Sequence, residues 1–271
     1  MGLELASRRG RQGRMGRVLV PLREFLRKEV AAAIAVLCGA LVVWAIGAWA
    51  LNTDWLPTPV KVFQEIWALL TDGKFPMTLI WSLGYAAGGF AIAAVLGLAV
   101  GAGMGLSRHF DGALSPYVNA MLLVPPILLA PIFMAVFGLS LTALIVLIVV
   151  FAFPMITISV RGAIRGVDPS FQEVAWAFGA GRYRQVFNFV LRAALPRAFA
   201  GLHLGMALSM KGMLIGELFL AVIGVGAVEA TYTQTFNTVG LWALAVILIV
   251  VSIMMVWIVS AVDFLVNYWA K

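Results

Sequence analysis

Long apolar stretches alternate with short polar intervals along most of this chain. The stretches at 30–51, 77–106, 113–137, 141–160, 198–223 and 239–262 carry few or no charges. Each is long enough for a bilayer crossing, which takes about 20 apolar residues at about 1.5 Å rise each. The pattern predicts six transmembrane helices in an all-α, polytopic membrane protein. The third stretch contains Pro125, Pro126 and Pro131; each removes a backbone donor, so a kinked helix is expected there. The fifth is interrupted by Lys211 and Glu217. Between the first two lies a segment, 60–70, in which Val62, Phe63, Ile66, Leu69 and Leu70 recur at helical spacing. It reads as a short amphipathic helix at the outer interface, either an interfacial strut or a contact for an external partner, with Trp55 and Trp67 suited to the headgroup level.

Composition agrees with the periodicity. The chain is 63% hydrophobic and 11% charged, with mean hydropathy +1.02, against roughly 45–50% and 25% in soluble domains. The net charge of +7 could suggest a nucleic-acid binder until the basic residues are placed. With both termini inside, eight Lys and Arg precede residue 30, Arg108 lies in the second loop, six arginines lie between 161 and 197, and Lys271 closes the chain. That gives sixteen inside, against only Lys61 and Lys74 outside and Lys211 within a span. An asymmetry of this size orients the protein with cytoplasmic termini. It also accounts for the charge without nucleic acid.

Residues 1–28 form a basic cytoplasmic arm, and 29–271 the transmembrane domain. Ser7-Arg8-Arg9 and Ala48-Trp49-Ala50 hint at export and cleavage signals. The apolar stretch that follows the arginines exceeds the 7–15 residues of a cleaved signal, so an uncleaved first helix is expected. Cys38 is the lone cysteine and reads as a small core hydrophobe. His109 and His203 lack ligand-spaced neighbours, so no metal site is expected. No G-x-x-x-x-G-K-[ST] segment occurs; any ATP that drives this protein is expected on another subunit, and no cofactor of its own is expected. In the second span Gly84 and Gly88, and Gly97, Gly101 and Gly105, stand four residues apart, spacing that lets helices approach closely in lipid.

The polar interval 161–197 is the most informative part. Asp168-Pro169 supplies an N-cap and first-turn proline, and Ser170 with Glu173 an alternative capping box. Phe171, Val174, Ala175 and Phe178 then form one apolar stripe of a short helix that Gly179 stops. A second helical run, 182–191, leads through Leu195-Pro196 into the fifth span. The stripe must be buried, either against its own bundle or in a groove of a partner.

Glu173-Val174-Ala175 with Gly179, and then Leu195-Pro196, resembles the cytoplasmic "EAA" loop of permease subunits of binding-protein-dependent ABC importers. Gly166-Val167-Asp168-Pro169, Leu56-Pro57-Thr58-Pro59, Val124-Pro125-Pro126, Phe137-Gly138-Leu139 and Gly216-Glu217 followed by Gly224-Val225-Gly226 resemble the branch for sulfonates, taurine, nitrate and similar small anions. Val174 replaces the motif's first alanine, and Arg192 and Lys211 stand where that branch usually has other residues. The resemblance implies a type I ABC importer architecture in a bacterial inner membrane. It implies a permease homodimer, cytoplasmic ATPase subunits that bind the ATP, and an extracytoplasmic solute-binding protein. Phe171, Glu173, Val174, Ala175, Phe178, Gly179, Leu195 and Pro196 would then couple to the ATPase. A self-sufficient secondary transporter is the alternative; it would be expected to show internal repeats and more intramembrane ionisable groups.

Lys211 and Glu217 are the charges deep inside a span, where such a group costs about 2.5–3.5 kcal/mol and usually marks a pathway. Six residues apart, they point about 120° away from each other around the helix. Three roles stay open for Lys211: attraction of an anionic carboxylate or sulfonate along the route, structural pairing with Glu217 of a second copy, or snorkelling of its amine toward the interface.

Overall fold

Proline and glycine decide where the apolar segments break. The computed structural model describes residues 32, 35–51, 53–168, 170, 173, 177, 179, 181–220 and 224–267, and the chain divides into two compact units, 1–63 and 64–271. In the first unit, helix α1 (Ala35–Leu51) is followed by a turn in which the Trp44 indole donates to the Pro57 carbonyl at 3.1 Å. Cys38, expected in a core, is exposed on α1. Helix α2 (Pro59–Thr71), which runs across the boundary between the units, is the amphipathic segment expected at 60–70, with a narrower buried stripe than expected. Val62 and Leu69 are buried and Ile66 half-buried, whereas Phe63, Trp67 and Leu70 are exposed along another face.

In the second unit, α3 (Lys74–Leu106), α6 (Leu141–Arg165), α7 (Gln185–Leu220) and α9 (Thr238–Val266) are each long and apolar enough to cross a membrane. The third expected span is two helices, α4 (Arg108–Leu123) and, after a 3₁₀ turn at Pro126–Leu129, α5 (Ala130–Phe137), bent by 92°. A residue before proline avoids the helical region, and two such residues are adjacent here: Val124 (ψ 123°) and Pro125 (ψ 114°) are both extended. Pro131 causes no kink, because it sits in the first turn of α5, where its missing donor is not needed.

Other boundaries also differ from expectation. Helix α6 runs to Arg165, so Arg161 and Arg165 are helical rather than in the loop. Helix α7 starts at Gln185 with a π-type turn to Val190, merging the expected 182–191 run with the fifth span. Hydropathy marks the apolar part of a helix and misses ends that project past the lipid. Helix α8 (Gly224–Gln234) has no counterpart among the expected elements.

The core is built on α6, which lies between α3 and α7. Gly89, Ala93, Gly97, Gly101 and Gly105 make a small-residue ridge on α3 at four-residue spacing, set against Ile148, Ile156, Val160 and Ile164 of α6. Gly201, Gly205, Gly212 and Gly216 of α7 likewise admit Ser159, Ile156, Ile148 and Leu144, so Ile148 and Ile156 meet small residues of both neighbours. This is the close helix approach that small residues permit in lipid. Gly84 and Gly88 take no part: nothing lies near enough to meet a side chain at either position. Large apolar residues such as Ile80, Trp81, Val95, Ile249, Met254 and Trp257 face outward, as lipid-solvated helices require.

Candidate coupling loop and translocation helix

Helix α6 ends where the Gly166 amide donates to the Gly162 carbonyl at 2.9 Å. Just beyond, the exposed Asp168 carboxylate accepts the Ser170 backbone N–H at 2.8 Å, the N-cap arrangement read from the sequence. That hydrogen bond holds the Asp168 carboxyl below the usual range. Glu173 and Ala177 are helical and exposed, and Gly179 is an exposed turn residue at φ +69°, left-handed geometry that suits glycine after a helix. Phe171, Val174, Ala175 and Phe178 lie outside the described residues. Leu195 is half-buried against the α6 core, and Pro196, inside α7, is exposed.

The roots of this loop are held by charges that the sequence presents only as a topology signal. Arg161 Nε lies 2.7 Å from Asp111 Oδ1 and its Nη2 2.9 Å from Oδ2; Arg165 Nη2 lies 2.8 Å from Oδ2. Arg197, early in α7, donates to the Gly166 carbonyl. A partial signal exists in the sequence: Asp111 is an acid just past Ser107, and Arg161 and Arg165 share one helix face at i, i+4. Nothing local links residues 50 positions apart.

On α7 the two deep charges have unlike surroundings. Lys211 is exposed, and among the described residues no ion pair or hydrogen bond engages it. Glu217 is fully buried. Its Oε2 accepts the Gly226 N–H at 3.1 Å, while the neighbouring Val225 N–H is taken by Ser82 Oγ of α3 at 3.0 Å. The carboxylate thus caps the N-terminus of α8, where a negative charge is favoured. Gly224 (φ +78°) and Gly226 lie so close over it that a methyl on either would overlap Glu217. Within this chain, then, Glu217 is engaged through Oε2 with the start of α8 rather than with Lys211. We expect Gly226→Ala to detach α8, seen as faster proteolysis after residue 220 with the spans still inserted; unchanged protection would remove this role from Glu217.

A cavity of about 750 Å³ opens between α7, α8 and α9, lined among others by Leu214, Ile215, Leu218, Glu229, Thr233 and Leu248. Lys211 stands three, four and seven residues before Leu214, Ile215 and Leu218, so it continues the same face of α7 toward its N-terminus.

The family described as binding-protein-dependent transport system inner membrane component matches residues 93–268. This chain belongs to that family. The putative aliphatic sulfonates transport permease protein SsuC of Bacillus subtilis (strain 168) is 30% identical to it over 78% of each chain. The nitrate import permease protein NrtB of Synechocystis sp. is 30% identical over 72% of this chain and 73% of its own. A riboflavin transport system permease protein, RibX of Chloroflexus aurantiacus, is 28% identical over 68% of each. In fold, the permease resembles the MetNI methionine ABC transporter in inward-facing form, with TM-score 0.57 and 19% identity over 69% of this chain and 96% of that one. The protein is the transmembrane permease subunit of an ABC importer, and the self-sufficient secondary transporter is set aside. Its relatives are transport permeases rather than enzymes.

Proposed function

We propose that this permease moves a small anionic solute, such as a sulfonate, nitrate, taurine or an organic carboxylate, into the cytoplasm along a route faced by Lys211. The observation that carries this reading is the exposed position of Lys211 on α7, continuous with the cavity-lining face, while the acid expected to pair with it is committed to α8. Lys211 lies nine residues from the end of α7 at Leu220, about 14 Å by helical rise and so near the bilayer centre. A cation held there against lipid is costly; facing a water-filled route, it attracts anions. The sulfonate and nitrate permeases among the relatives support this class.

In this proposal two copies pair, both termini are cytoplasmic, and ATPase subunits dock on the 168–179 loop. An extracytoplasmic binding protein delivers the solute, and ATP is bound by the ATPase alone. Closure of the ATPase dimer moves the loop, the spans tilt to open the route outward, and hydrolysis resets them.

The test is uptake into proteoliposomes containing the permease, its ATPase and its binding protein, with labelled taurine, ethanesulfonate, nitrate and riboflavin. Lys211→Met should reduce anion uptake about tenfold, near 1.4 kcal/mol, with ATPase association intact, and Lys211→Arg should keep part of it. Because Glu217 is bonded elsewhere, adding Glu217→Gln should not rescue Lys211→Met. Undiminished anion uptake by Lys211→Met, or preference for neutral riboflavin, would sink the proposal.

A further inference from the structure

Four helix ends meet at the base of the coupling loop, and one carboxylate joins three of them. Asp111 stands in the first turn of α4, just past Ser107, whose Oγ accepts the Phe110 N–H at 3.3 Å. It is only 8% exposed and is flanked by the guanidinium groups of Arg161 and Arg165 in the last two turns of α6. Arg161 also donates to Ser115 Oγ one turn along α4 at 3.3 Å, and Arg165 to the Met104 carbonyl in the last turn of α3 at 3.2 Å. Arg197 ties the start of α7 to Gly166.

We infer that Asp111 is a positioning residue for transport, a clamp that makes the loop roots and α4 move as one body. Movement imposed on the loop then reaches the bent α4–α5 pair. The inference rests on the coupling-loop reading above. Its physical basis is geometric. A hydrogen bond from one flexible lysine could pivot, but two planar guanidinium groups on adjacent turns, one of them contacting both carboxylate oxygens, resist rotation of α4 against α6. Without the carboxylate, two cations at i, i+4 face each other with no counter-charge and repel. The chain then loses the attraction and gains an outward push at the same point. Helix α4 is otherwise lightly held: of its described residues only Asp111 and Val118 are buried.

The test uses the full chain assembled with its ATPase in a Cys38→Ser background. Spin labels on Gly162→Cys of α6 and Tyr117→Cys of α4, both exposed positions, report the α4–α6 distance without nucleotide and after trapping with ATP and vanadate. The expected result is one narrow distribution, the same in both states. In Asp111→Asn it should broaden about twofold and uptake per ATP hydrolysed should fall about tenfold, because a neutral amide accepts weaker hydrogen bonds than a carboxylate. A purely stabilising contact would lower protein yield without changing the uptake-to-ATP ratio. Should Asp111→Asn fail to assemble, Arg161→Lys, which keeps charge but loses the fork, should show the same broadening. A native distance that changes with nucleotide, or clamp variants with native distributions and coupling, would overturn the inference. A second label pair, Gly162→Cys with the exposed Thr235→Cys past α8, reports whether nucleotide moves the spans at all; a fixed distance there counts against the coupling-loop reading, not the clamp.

Discussion

Gly101→Leu should prevent the permease from accumulating as a folded membrane protein. A Cβ at residue 101 would lie 2.6 Å from the Thr157 carbonyl oxygen and 2.8 Å from Val160 Cβ. At Gly97 the obstruction is Cβ and Cγ2 of Ile156, a β-branched side chain with little freedom to turn; at Gly101 the nearest atom is backbone of α6 itself, which has none. Overpacking usually costs about 1–3 kcal/mol, and the larger side chain would separate α3 from α6 along the whole ridge. Gly101→Ala should already lower the thermal midpoint in detergent by several degrees. The matched control is Gly88→Ala, a position with open space around it, which should leave yield and midpoint unchanged. Equal behaviour of the two alanine variants would mean that the ridge does not set the α3–α6 distance.

Gly179→Asp is expected to abolish uptake while leaving insertion and yield intact. The space around Gly179 is open in this chain, with nothing within 4 Å of the point a Cβ would occupy. Among the described residues a side chain there meets no other part of the permease, so beyond the backbone cost a loss with insertion intact points to what docks on the loop. The left-handed φ of +69° adds a modest cost that Asn and Asp bear better than other residues, so Gly179→Asn separates the two effects. If docking is at stake, Asp should reduce uptake about 100-fold, the size of an interface hot spot, and Asn much less. Membrane-fraction blots, ATPase co-purification and uptake read the three steps. Normal uptake by a well-inserted Gly179→Asp would remove the loop from coupling.

Hydropathy places four of the six expected spans, α3, α6, α7 and α9, because lipid imposes one local rule, a run of apolar residues; among the described residues the first is the shorter helix α1 and the third is the bent α4–α5 pair. The loop is legible for a related reason: a cap at Asp168 and a stop at Gly179 are short-range chemistry. What stays hidden depends on distant partners. Ser82 and the Val225 amide are 143 residues apart, and nothing near either announces that α8 begins there or that Glu217 caps it. In the sequence Glu217 is open both to pairing with a second copy and to a place on the pathway, because a buried acid can be satisfied by backbone amides that no pattern of side chains reveals. Lys211 is legible as a deep cation, but its exposure depends on how α7 is rotated against α6.

The layering of α3, α6 and α7 matches the order in which they leave the ribosome. Helix α3 emerges first and presents its small-residue ridge to lipid; α6 follows and closes on that ridge; α7 comes last and closes on the pair, meeting Ile148 and Ile156 of α6 and Phe90 of α3. The helix on which both others pack is also the middle one in time, so no helix has to be driven between two neighbours already in contact. Each new span finds its docking surface waiting as it enters the bilayer, which lets the core assemble during synthesis, in step with N-terminal-first folding, rather than by rearrangement of a finished chain.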